Sequence, residues 1–286
     1  YKDFILARGV KNGEKYIKRL KYEPTLYIPT NKPTAHKSIS GEFLQSKKFK
    51  SPSDARHWKK QYDNTGIDIH GLEQWEYTYI AETYPSNIDF DIKNINILNI
   101  DIECECEGGF PEPTVAEERV NAITMKLFGH KETHVIGIDN FEYKNDDPNV
   151  IYHKTRHEKE LLLTFMKIWD ELEPDIVTGW NVETFDIAYL VNRIWKLFDW
   201  DTVKKLSPHE LITSREWLYM GQKKMISYNI AGIAILDYLE MYKKFTYITR
   251  ETYRLDHIAE VELGLSLIHI SEPTRQAEIS YAVFCL

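Results

Sequence analysis

The sequence predicts an α/β (α+β) chain in two parts, a smaller mixed α/β domain over residues 1–92 and a larger domain with a mixed sheet over residues 93–264. Three observations predict it. Ile95 to Glu103 is almost unbroken apolar sequence, the pattern of a central strand covered on both faces. Glu158 to Leu172 carries Leu161, Leu162, Phe165, Ile168, Trp169 and Leu172 at helical spacing, a stripe that reads as core. Asp186 to Phe198 repeats the pattern with Ile187, Val191, Ile194 and Leu197, after a short strand over Asp175–Thr178.

The remaining elements follow in order. Phe4–Ala7 and Thr25–Ile28 are strand candidates, the second ended by Pro29 and by Asn31-Lys32-Pro33. Ser53 to Tyr62 reads as a helix with Ser53 at its cap. Tyr84-Pro85-Ser86-Asn87 is a connecting loop, which places the boundary near residues 88–93. In the second part, Asn121–Phe128 and His134–Ile138 are expected to pair antiparallel through Gly129-His130. Ile233–Leu236 is a strand before a helix through Tyr242.

Composition narrows the class. The 286 residues are enough for two cores, and no stretch approaches the ~18 apolar residues of a membrane span, so a soluble intracellular protein without a membrane partner is expected. The net charge of −8 is unevenly spread: residues 1–60 hold 15 Lys and Arg against 5 Asp and Glu. That basic stretch, interleaved with Tyr16, Tyr22, Tyr27, Phe43, Phe49 and Trp58, suits a nucleic-acid backbone and stacked bases; a solvated Lys-rich surface explains it equally well. Cys104 and Cys106 form a Cys-x-Cys without further Cys or clustered His, a poor zinc site and no disulfide scaffold. Gly108-Gly109 lacks the following helix and Lys of a phosphate cradle.

Two acidic segments carry the chemistry. In Asn96-Ile-Leu-Asn-Ile-Asp101-Ile-Glu103, alternation along a strand puts Asp101 and Glu103 on one face, about 7 Å apart, and Ile100 and Ile102 on the other. In Thr178-Gly-Trp-Asn181-Val-Glu-Thr-Phe185-Asp186 a turn leads into a helix whose first turn tolerates the Asp186 carboxylate. Such carboxylates hold hard divalent cations, Mg2+ or Mn2+, and phosphodiester hydrolysis uses two of them roughly 3.5–4 Å apart. Either segment alone is common as a strand end or a helix cap; the two in this order are far more specific.

The segment from Asp101 to Glu103, followed by Gly109-Phe110-Pro111-Glu112-Pro113, resembles the first proofreading-exonuclease motif of family B DNA polymerases, in its T-even-type phage branch. Thr178 to Asp186 resembles the second motif of these enzymes, and Leu206-Ser-Pro-His209 and Leu236 to Phe245 are similar to further segments of that branch. The resemblance implies a ribonuclease-H-like 3′→5′ exonuclease domain with a smaller domain before it. It implies catalytic and metal-binding roles for Asp101, Glu103 and Asp186, two divalent cations (Mg2+ or Mn2+), and substrate contacts from Phe110, Asn181 and Phe185. It also implies DNA replication in the cytoplasm of a phage-infected bacterial host. The partners would be a single-stranded 3′ end or primer-template, and a sliding clamp engaged through further sequence.

One family carboxylate is absent. The third motif, a Tyr followed four residues later by Asp, has no counterpart after residue 256, and Tyr253 to Asp256 has the wrong spacing. Asp237 at a strand end is the alternative, against the order of elements. Leu265 to Arg275 resembles a translated transposase-type sequencing adapter, and Ile279 to Leu286 its flow-cell end. Residues 265–286 are therefore expected to be a non-native tail, set aside from the fold. The chain as written is then the front part of a polymerase and is expected to cleave poorly. A free-standing exonuclease of the same fold, and a catalytically silent single-strand-binding module, are the alternatives.

Overall fold

The computed structural model describes residues 3–11, 13–86, 91–106, 110–138, 147–219 and 223–264. The expected tail at 265–286 and Gly108-Gly109 lie outside the described residues. The chain divides into two compact units, Tyr1–Ile92 and Lys93–Leu286.

In the first unit, β1 (Phe4–Lys11) and β2 (Glu14–Lys21) form a hairpin, and β3 (Thr25–Pro29), β4 (His36–Lys37) and β5 (Phe43–Lys48) a second sheet in the order β3-β5-β4. Strand β2 leaves little sequence signal because its apolar residues are sparse among lysines. Helix α1 (Pro52–Lys60) is capped by Ser51, not Ser53: the Ser51 hydroxyl accepts from the Asp54 amide, and Pro52 takes the first helical position, where its missing N–H costs nothing. Helix α2 (Trp75–Thr83) contributes buried Trp75. Tyr22, Leu26, Phe49, Ala55 and Trp75 make this unit's core. Tyr22 and Phe49 are thus not available to stack on bases, which corrects part of the reading of the basic stretch.

The second unit is built on a six-stranded mixed sheet. Its strands are β6 (Ile97–Cys104), β7 (Val120–Leu127), β8 (Thr133–Ile138), β9 (Val150–Thr155), β10 (Ile176–Gly179) and β13 (Ala234–Asp237), in the order β13-β10-β6-β7-β8-β9. As the apolar run predicts, β6 is central, parallel to β10 and antiparallel to β7. Helices α3 (Glu158–Leu172) and α4 (Asp186–Leu197) form where their periodicity predicts, and Leu161, Leu162, Phe165, Ile187, Val191 and Ile194 are buried in one core with Leu98, Ile100 and Ile102. Helix α5 (Trp200–Lys204) leads to an antiparallel ribbon of β11 (Ile212–Tyr219) and β12 (Lys223–Ile230). Helices α6 (Tyr238–Phe245) and α7 (Leu255–Leu263) follow β13. Among the described residues no helix is long and apolar enough to cross a membrane.

Candidate active site

Strand β6 sorts its side chains by alternation. Leu98, Ile100 and Ile102 are buried, while Asn99, Asp101 and Glu103 occupy the other face, partly exposed. Asp101 lies opposite Thr124 and Glu103 opposite Ala122, and the register shifts between Glu103 and Cys104. That irregularity ends the strand, as bulges near sites commonly do, so the alternation does not run on to Cys106. Burial pushes the Cys104 thiol up to about 12, and Cys106 is exposed. Just past the strand, Glu105 pairs with Arg119.

Asp186 comes to β6 from the first residue of α4. Its Oδ1 accepts the Ile102 amide at 3.0 Å, between the two strand acids, and the residue is only 3% exposed. Burial, then the neighbouring Asp101 charge, pushes the Asp186 carboxyl well above the usual carboxylate range. Burial alone takes Asp101 up to about 6. A cleft of about 490 Å³ opens beside Asp101, walled by Asn99, Thr178, Trp180, Tyr238 and Tyr242.

The turn between β10 and α4 requires special backbone. A Cβ on Gly179 would stand 2.6 Å from the Ile100 carbonyl, so only glycine allows β10 to approach β6 this closely before the turn. Asn181 adopts the left-handed region (φ 64°), and its Oδ1 accepts from the Thr184 hydroxyl at 2.6 Å. Asp237, the sequence's alternative ligand, spends its oxygens on backbone amides of this turn and of α6.

Phe110 is 74% exposed, and its ring lies 5.0 Å from that of Phe185. The two line a small cleft with Asn181, Thr184, Lys224 and Met225. The loop carrying Phe110 is anchored by α4 through contacts the sequence did not disclose. Asn192 donates to the Pro113 carbonyl, Arg193 to those of Ala116 and Glu117, and Tyr189 to that of Glu118, at 2.7–3.0 Å. Arg193 also forms a buried bidentate pair with Glu158, both bonds 2.7 Å, and Glu158 accepts the Val120 amide. The signal was present: Asn192-Arg193 interrupts an apolar helix, and buried polar side chains need partners.

The structure thus brings Asp101, Asp186, Asn181 and Phe185 to one end of the sheet, with Phe110 on Phe185 and Glu103 on the Asp101 face. As placed, no three acidic, His or Cys side chains among the described residues are close enough to hold a metal ion together. The pair Asp101–Asp186 does fit a divalent cation. Asp186 feels the Asp101 charge, hard carboxylate oxygens are the donors Mg2+ and Mn2+ prefer, and Mg2+ is commonly held by one or two carboxylates plus waters and phosphates.

The model of the DNA polymerase family B exonuclease domain matches residues 54–258. The chain belongs to the family B DNA polymerases. It is 31% identical to a DNA-directed DNA polymerase of Escherichia phage RB69, over 98% of this chain and 35% of that protein. It is 30% identical to the DNA-directed DNA polymerase of Enterobacteria phage T4, over 88% of this chain and 30% of that one. A DNA polymerase catalytic subunit of rat cytomegalovirus is 28% identical over 58% of this chain. The chain spans about a third of the length of the phage relatives. Exonuclease domains of family B polymerases are generally dependent on divalent metal.

Proposed function

We propose that this chain supplies the proofreading exonuclease of a DNA-directed DNA polymerase, removing nucleotides from a single-stranded 3′ end of DNA by metal-dependent hydrolysis. The observation that carries the reading is the seating of Asp186 on the Ile102 amide beside Asp101 in a family B exonuclease domain, where the Asp101 charge acts on it.

Asp101 and Asp186 would hold the cation, with Glu103 on the same face of β6 available for a second ion or for the attacking water. Bound there, divalent cations lower the pKa of water and stabilise charge on the phosphodiester oxygens. The protein's own residues do the rest. Phe110 and Phe185 offer ring faces on which a terminal base can stack, a contact worth about 1–3 kcal/mol per base. Thr184 fixes the oxygen of the Asn181 amide, so its donor end is the one offered to the strand. Lys224 brings a positive charge to the same cleft. The primer-template is the DNA partner in this reading. A sliding clamp would be engaged by other parts of such a polymerase, and the setting is the cytoplasm of a phage-infected bacterium.

The test is incubation of the full chain with a 5′-labelled single strand and Mn2+. The expected result is slow, stepwise shortening from the 3′ end, abolished by Asp101→Ala with Glu103→Ala. Shortening no faster than in that double variant would overturn the reading in favour of a silent binding module.

A further inference from the structure

We infer that Asp237 is a positioning residue of the strand-end groove, its carboxylate fixing the turn that presents Asn181 and Phe185. The inference rests on the function proposed above. Strand β13 runs parallel to β10 with Asp237 beside Gly179, so its side chain arrives where the turn begins. Asp237 is 6% exposed. Its Oδ1 accepts from the Asn181 amide at 3.1 Å and from the Leu239 amide at 3.0 Å, and its Oδ2 from the Glu183 amide at 3.0 Å.

The Leu239 bond is ordinary capping of α6, and capping alone needs one oxygen. The other two bonds run 54 and 56 residues back along the chain, to the turn. There they support a left-handed Asn181, a conformation that costs about 1 kcal/mol or more and persists only where its surroundings hold it. Asp186 has its own anchor, the Ile102 amide. Asp237 therefore governs the groove residues, while the metal-side carboxylate has its own backbone anchor and feels Asp237 only through its charge, the smallest of the causes that act on it.

Asp237→Ser separates the two roles. Serine still caps α6 but is too short to bridge to Asn181 and Glu183. Three quantities are compared in wild-type and variant full chains: affinity for a 5′-fluorescein single strand with a free 3′ hydroxyl in Ca2+, Mn2+ affinity by electron paramagnetic resonance, and Tm. Strand affinity is expected to fall about tenfold, the scale of losing charge-assisted hydrogen bonds, with Mn2+ affinity within about twofold of wild type. If Asp237→Ser does not fold, Asp237→Asn carries the same test. It keeps Oδ1 but turns an amide N–H toward that of Glu183, and a smaller loss of strand affinity at unchanged Mn2+ affinity is expected. Unchanged strand affinity, or parallel loss of strand and Mn2+ binding, would overturn the inference alone. A wild type that binds no strand would overturn the proposed function and this inference with it.

Discussion

Asp186 reaches from the first residue of α4 to the backbone of β6, where its Oδ1 accepts the Ile102 amide at 3.0 Å. The bond seats a helix-borne carboxylate between Asp101 and Glu103 on the strand. It stabilises the charged form of Asp186, yet burial and Asp101 outweigh it and the carboxyl stays raised. Without a cation the pair therefore holds protons more readily than ordinary carboxyls do, and a cation at the pair would compete with them.

That balance makes metal-free stability fall with pH. Both carboxyls are raised in the fold, so between about pH 4 and 6 the folded protein binds more protons than the unfolded chain, and stability is lost as pH rises through that range. For Asp101 the gap from its ordinary value to about 6 corresponds to about 3 kcal/mol. In EDTA the Tm difference between wild type and Asp101→Asn should widen from pH 4 to pH 7, with the variant the more stable. A pH-independent difference would contradict the site electrostatics.

Adding Mn2+ at pH 8 should close most of that gap. A cation that binds only the folded state at 100 times its Kd contributes about 2.7 kcal/mol. Wild type should gain Tm by thermal denaturation, and Asp101→Asn or Asp186→Asn should gain little.

The Arg193–Glu158 pair should be costly to break on one side. Arg193→Ala leaves a buried carboxylate with no cation and only the Val120 amide, and takes the guanidinium from two loop carbonyls, a loss of about 3–5 kcal/mol in urea denaturation. Arg193→Met with Glu158→Leu should lose much less.

Phe110→Ala should do the opposite. The ring is 74% exposed, so stability should change by less than about 0.5 kcal/mol, while affinity for a single-stranded 3′ end falls by about 1–3 kcal/mol. Fluorescence anisotropy with the labelled strand checks both directions against Tm.

Much of this was readable in the sequence because strong periodicity wrote it there. The apolar run of β6 and the stripes of α3 and α4 predicted the centre of the second unit, and alternation placed Asp101 and Glu103 on one face. What the sequence hid depends on long-range polar pairing. Asp237 serves a turn more than 50 residues away, and Asn192 and Arg193 serve a loop 76–79 residues away. Local spacing names neither partner, although Asn192-Arg193 within an apolar helix signals that partners exist. Strands β2 and β5 escape for a different reason: their residues are mostly exposed and rich in lysine, with few apolar side chains, so no period stands out.

The most direct test of the account is Mn2+ binding to the intact chain at pH 8, followed by electron paramagnetic resonance with Mg2+ as competitor. The account predicts saturable binding that Mg2+ displaces and that Asp101→Asn and Asp186→Asn each abolish. Binding that survives both substitutions, or no binding by wild type, would contradict it.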